Sequence, residues 1–160
     1  MKLRRGPGPM RLLLLLPLLL LPAAPLHAVK TPNVTNTRAL SFGRFVANTG
    51  GTILLNTTGA RSSTSGVVLL AGATITSAAF SLTETGTGKS LGFTTIILPS
   101  TATMTSGTNT MKVSNFVSDP ANSVLGTGKT TVLVGATLTV APNQAPGNYS
   151  GSFVVTVNYQ

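Results

Sequence analysis

Short runs rich in Val, Ile, Thr, Leu and Phe follow one another along most of this chain, each closed by a cluster of Gly, Ser, Asn or Pro. Almost nowhere do apolar residues recur at helical spacing, so the pattern predicts strands rather than helices. Strands are expected near 39–46, 52–57, 66–70, 73–83, 91–98, 110–117, 130–140 and 148–159. Turns are expected at Thr49-Gly50-Gly51, Asn56 to Ser65, Gly86-Thr87-Gly88, Pro99 to Gly107 and Pro142 to Gly147. Many short strands with such turns describe an all-β sandwich; length and spacing favour an immunoglobulin-like sandwich over a barrel, which periodicity alone leaves open. The abundant threonines suit exposed strand faces, where the β-branch fits the pleat and the hydroxyl meets water.

The last predicted strand carries the most information. Side chains of a strand point alternately to its two faces, so Phe153, Val155, Val157 and Tyr159 are expected on one side, with Thr156 and Asn158 on the other. The alternation runs to Gln160 without a polar tail, which predicts a terminus held by another molecule.

At the other end, Lys2, Arg4, Arg5 and Arg11 precede the apolar run Leu12–Leu21, interrupted by Pro17, and Leu26-His27-Ala28 fits a cleavage site. Residues 1–28 therefore read as a secretory signal peptide, too short in its apolar run to cross a bilayer as an anchor. Either Met1 or Met10 is the initiator in this reading. Export through a periplasm to the cell surface or medium is expected, with no membrane insertion after signal removal.

Removing the signal leaves about 132 residues, enough for one domain with its own core. Residues 29–38 form an N-terminal segment and 39–160 the domain proper. The formal charge of +9 falls to +5, with seven basic side chains against Glu84 and Asp119. Those basic residues are scattered singly, without the patch that nucleic acid requires, and read as solvated turn and edge charges. The chain has no cysteine, so packing and backbone pairing alone must hold it.

Candidate chemistry is sparse. Gly126-Thr127-Gly128-Lys129-Thr130 and Gly86-Thr87-Gly88-Lys89-Ser90 imitate the end of a phosphate-binding loop, but Ser123 and Thr83 stand where its first glycine belongs, and a strand follows each. The triplets at Asn33, Asn56 and Asn148 match the glycosylation pattern, which is common by chance in a Thr-rich chain. The single histidine, His27, lies in the signal; with no cysteine and two carboxylates, no catalytic triad, metal cage or carboxylate pair is expected. The chain reads as a non-enzyme without cofactor. Glu84 and Asp119 read as turn-capping acids. No tryptophan is present to stack on a sugar, which argues against a lectin-type adhesin.

A resemblance rests on Leu40-Ser-Phe-Gly-Arg-Phe45, Ala79-Phe-Ser-Leu82, Ile97-Leu-Pro99, Met111-Lys-Val-Ser-Asn-Phe116, Val134-Gly-Ala-Thr-Leu138 and, most specifically, Gly147-x-Tyr-x-Gly-x-Phe-x-Val-x-Val-x-Tyr159. Over nearly all of its length after the signal, the chain resembles the bacterial domain-of-unknown-function family 4402. Its ending is similar to those of chaperone–usher pilins and spore-coat-U-type secreted proteins. The resemblance implies a pilin-type sandwich lacking its last strand, with an apolar groove filled first by a periplasmic chaperone and then by a strand from the next subunit. It further implies an outer-membrane usher and like subunits as partners in a cell-surface fimbria. Phe153, Val155, Val157 and Tyr159 become the strand beside the groove, and the Gln160 carboxylate the group that meets chaperone cations. Such a subunit is expected to be poorly soluble or slow to fold when expressed alone.

The donor segment is the weak point. Between Val29 and Arg38 only Val29 and Val34 are clearly apolar, and Pro32 lacks a backbone donor. Leu40, Phe42 and Val46 belong either to that donor or to the first core strand. The alternative class is a non-polymerising secreted sandwich that serves as a coat or binding module.

Overall fold

In a computed structural model, which describes residues 30–64, 66–89, 92–121, 126–127 and 130–159, every helix-length or extended element is a strand. In chain order these are β1 (Thr31–Arg38), β2 (Phe45–Ala47), β3 (Gly51–Leu55), β4 (Arg61–Ser63), β5 (Val67–Leu69), β6 (Ala78–Thr85), β7 (Gly92–Ile97), β8 (Thr101–Ser106), β9 (Asn109–Asp119), β10 (Gly126–Thr127), β11 (Thr130–Val140) and β12 (Thr156–Tyr159). Residues 1–28, expected as a signal peptide, and the Ser123 position of the loop motif lie outside the described residues.

β11 is the spine. Its even-numbered residues Val132, Val134, Ala136, Leu138 and Val140 are all buried, the period-2 pattern of a strand with one face against a core. Along one edge it pairs antiparallel with β9; along the other it pairs with β6 over Thr130–Val134 and then with β3 over Ala136–Val140. Gly135 sits at the handover. A Cβ there would lie 2.4 Å from the Leu55 carbonyl oxygen, so only glycine lets the end of β3 close onto β11 at this point.

The large sheet runs β1-β6-β11-β3-β4, with β9 and β8 added beyond β11. A second sheet of β10-β7-β12 packs against it, and β2 and β5 pair as a separate ribbon. Two clusters fill the space between. One joins Ala78, Leu82, Val132 and Val134 of the large sheet to Phe93 and Ile96 of β7; the other gathers Phe42, Ile53, Leu55, Val67, Met111, Val113, Ala136, Leu138 and Val140. Leu40 and Phe116 pack against both clusters. The fold is an all-β, immunoglobulin-like sandwich.

Several boundaries differ from those expected. Thr101–Ser106 is a strand rather than a turn, because Ala102 and Met104 turn inward between exposed threonines and a single methyl or thioether gives little apolar signal. Residues 39–44 form no ladder, apart from one bridge between Ser41 and Thr76. Residues 31–38 are not a segment outside the domain: they form β1, paired with β6 from Thr31↔Thr85 to Arg38↔Ala79. The expected strand over 148–159 is regular only in its last four described residues. Glu84 is no turn cap either; it lies within β6, opposite Pro32, with its side chain 2% exposed.

Candidate functional site

An open groove separates two walls of chain. One wall is the 39–47 segment and the other is the 144–153 segment. The groove has an apolar compartment of about 260 Å³, lined by Leu40, Phe80, Met104, Val113, Phe116 and Phe153 among others. Beside it lies a larger, more polar one of about 710 Å³, with Phe42, Arg44, Met111, Leu138 and Tyr149 in its lining. Leu40 and Met104 border both compartments, so the two adjoin.

The first wall is held by hydrogen bonds that the sequence did not announce. Arg61 donates from Nη1 to the carbonyls of Phe42 (2.6 Å) and Arg44 (3.0 Å) and from Nη2 to that of Leu70 (3.0 Å). Ser41 and Thr76 exchange both backbone bonds, and the Thr76 hydroxyl donates to the Ala39 carbonyl at 2.9 Å. Phe42 is buried and Leu40 half-buried in the protein's own core, while Val46 pairs with Val68 across the ribbon. All three therefore belong to the domain rather than to a donor. Arg61 is thus a structural clamp, not a solvated edge charge.

The second wall is pressed against β8. Ser150 and Thr105 exchange backbone bonds of 2.8 and 3.0 Å. At Gly151 a Cβ would meet the Thr103 carbonyl oxygen at 2.2 Å, so glycine is what permits this approach. Tyr149 sets the bend: its hydroxyl donates to the Ala145 carbonyl at 2.8 Å and accepts from Gln144 Nε2 at 2.8 Å. A tyrosine whose hydroxyl returns to the backbone a few residues upstream, at the corner between the two sheets, is a hallmark of immunoglobulin-like sandwiches.

Beyond the bend the chain reaches β12, which pairs with β7 from Thr156↔Ile97 to Tyr159↔Phe93. β12 is the outer strand of its sheet and is bonded to β7 alone among the described residues. Phe153, Val155 and Val157 are half-buried and pack on the cluster around Phe93 and Ile96, as the alternation predicts. Phe153 meets the rings of Phe80 (centroids 6.1 Å apart, near-perpendicular) and Phe116 (4.9 Å, tilted). Tyr159 departs from this set. A register shift between Asn158 and Tyr159 takes it off the inner row, and it is 53% exposed. Gln160 and Val29 lie outside the described residues. Val34 pairs with Leu82 within the chain's own sheet.

The edges of the large sheet are blunted: β1 carries Pro32 and Arg38, β4 is three residues long and begins with Arg61, and β8 is covered at Thr105 by Ser150. β12 has neither proline nor charge, and Val154 just before it is 74% exposed. Among the described residues no group of three or more His, Cys, Asp or Glu is placed to hold a metal ion, and no helix is long and apolar enough to cross a membrane.

Fold and groove together define an immunoglobulin-like sandwich with an apolar depression walled in part by Gly151–Phe153, the segment that leads into the outermost strand β12. The chain belongs to the family described as domain of unknown function DUF4402, whose model matches residues 33–159. That match begins inside β1 and so includes it in the domain. No curated protein and no solved structure matches the chain.

Proposed function

We infer that the protein is a structural subunit of a cell-surface, fimbria-like fibre, exported by a signal peptide and completed by a strand from a partner. The observation that carries this reading is an unguarded β12 edge that follows, three residues on, from Phe153 in the groove lining. An extended segment laid along β12 would gain main-chain hydrogen bonds, while alternate side chains entered the depression at Leu40, Phe80 and Phe116. Four or five apolar anchors of roughly 1.5–3 kcal/mol each amount to about 6–15 kcal/mol before ordering costs. That matches the whole stability of a small domain, about 5–15 kcal/mol, and here no disulfide contributes.

A periplasmic pilus chaperone would hold the edge first, and an outer-membrane usher and neighbouring subunits would follow. The fact that β1 is folded back onto β6 favours the second reading, a non-polymerising secreted coat or binding module. Co-expression of the full chain with a periplasmic pilus chaperone separates the two. Capture of the wild type, reduced at least tenfold by Val154→Lys with Tyr159→Lys, is expected for the fibre subunit; both positions are exposed, so folding is spared. A stable monomer never captured by the chaperone, or captured equally by the variant, overturns it.

A further inference from the structure

Resting on that reading of the groove, we propose that this chain is an acceptor only: it receives a strand from a partner of different sequence but cannot donate its own N-terminal strand to a second copy. The N-terminal strand is already committed. β1 forms an antiparallel ladder with β6 over almost its whole length, and side chains lock it at several points. Arg38 donates from Nε to the Ser77 carbonyl at 2.8 Å and from Nη2 to the Ser77 hydroxyl at 2.9 Å, and Ser77 is fully buried. Asn36 and Thr37 both donate to the Ala79 carbonyl, at 3.4 and 3.2 Å. At the opposite end Lys30 Nζ lies 3.5 Å from Glu84 Oε2. Neither oxygen of that buried carboxylate has a hydrogen-bond partner among the described residues, which leaves Lys30 as the charge that compensates it.

Releasing β1 would strip Ser77 of its partner and leave a buried carboxylate without its cation. Nor is there slack for the strand to swing into another molecule. Immediately after Arg38, Ala39 accepts from Thr76, Leu40 packs on both core clusters and Ser41 is bridged to Thr76. A hinge at this point would pull Leu40 out of the groove wall. The segment also lacks what the groove asks for, since Val34 is its one large aliphatic side chain and the groove presents a row of phenylalanine and leucine. The matching occupant is therefore an extended segment of another protein with bulky apolar residues at alternate positions. In a fibre this subunit stands at an end.

Because the chain has no cysteine, disulfide trapping reads the pairing without background. Asn33 faces Thr83 and Thr35 faces Ser81 in the β1–β6 register, on the side away from buried Leu82. The double variants Asn33→Cys/Thr83→Cys and Thr35→Cys/Ser81→Cys, expressed as the full chain and oxidised, are expected to run at single-chain mass on non-reducing gels, in soluble and cell-surface fractions alike. Chaperone capture by the locked forms is expected to equal wild type. A reducible ladder of chain multiples, or capture lost on oxidation and restored by reductant, overturns the proposal. If neither pair oxidises, amide exchange decides it: β1 amides slowed at least a hundredfold over unstructured peptide support the clasp, and unprotected amides refute it. Failure of the groove reading is distinguishable, because it leaves the crosslinks within one chain while capture ignores the Val154→Lys/Tyr159→Lys change.

Discussion

Replacing Tyr149 by Phe removes one oxygen atom and keeps the ring packed against the core around Leu138 and Met111, so it isolates the hydrogen bonds of the bend. That oxygen donates to Ala145 and accepts from Gln144, whose Nε2 also donates to the Thr110 carbonyl at 3.3 Å and whose Oε1 accepts from Ala141 N at 3.4 Å. The hydroxyl thus closes a small network that ties the exit of β11, the start of β9 and the second groove wall together. A net hydrogen bond contributes about 0.5–1.5 kcal/mol, and a half-buried carbonyl left unpaired costs about 1–3 kcal/mol. Because Gln144 keeps its bond to Thr110, the expected loss is about 1.5–3 kcal/mol. With a urea slope of roughly 1–3 kcal/mol/M, this lowers the unfolding midpoint by about 1 M at unchanged slope. Gln144→Ala should cost less, and the double variant should fall short of the sum of the two losses by about 0.5–1.5 kcal/mol, the coupling of groups in one network. A midpoint for Tyr149→Phe within experimental error of wild type, or strict additivity in the cycle, would show that the bend is set by packing alone.

Other perturbations test other parts of the fold. Gly135→Ala forces a methyl to within 2.4 Å of the Leu55 carbonyl and 2.7 Å of the Asn56 carbonyl carbon; overpacking against backbone should cost about 1–3 kcal/mol or more, read as a fall in urea midpoint. Phe153→Ala deletes a half-buried ring and its contacts with Phe80 and Phe116, for a loss of about 1.5–3 kcal/mol, and should weaken chaperone capture by enlarging the depression beyond what a donated side chain fills. Arg61→Lys cannot reach three carbonyls with a planar fork, so it should loosen the 42–44 wall and speed amide exchange there while the β11 amides stay protected.

How much of this was legible in the sequence depends on side-chain size. Phe153, Val155 and Val157 are bulky enough to mark one strand face, but their alternation does not say that the chain's own cluster partly covers them; β11, expected as a strand over 130–140, is one over Thr130–Val140. β8 was missed because its inward residues are Ala102 and Met104 in a threonine background. β1 was missed because seven of its eight residues are polar, proline or charged: it is held by ladder bonds and by Arg38 and Lys30 rather than by burial. Strict alternation puts Tyr159 on the inner row, and the irregularity after Asn158 breaks that count. The groove itself arises from the spacing between two irregular segments, 39–44 and 144–153, and no local pattern encodes a distance between segments a hundred residues apart.

The handover at Gly135 also bears on the order in which the molecule is built. β3, β6 and β9 pair early with β4, β1 and β8, yet these three pairs become one sheet only when β11 arrives after all of them. Until then one backbone edge of each stands open, and contacts this distant along the chain form slowly. The polypeptide therefore spends its early life as a set of sticky ribbons, and any escort that shields it must act before residue 140 emerges as well as after.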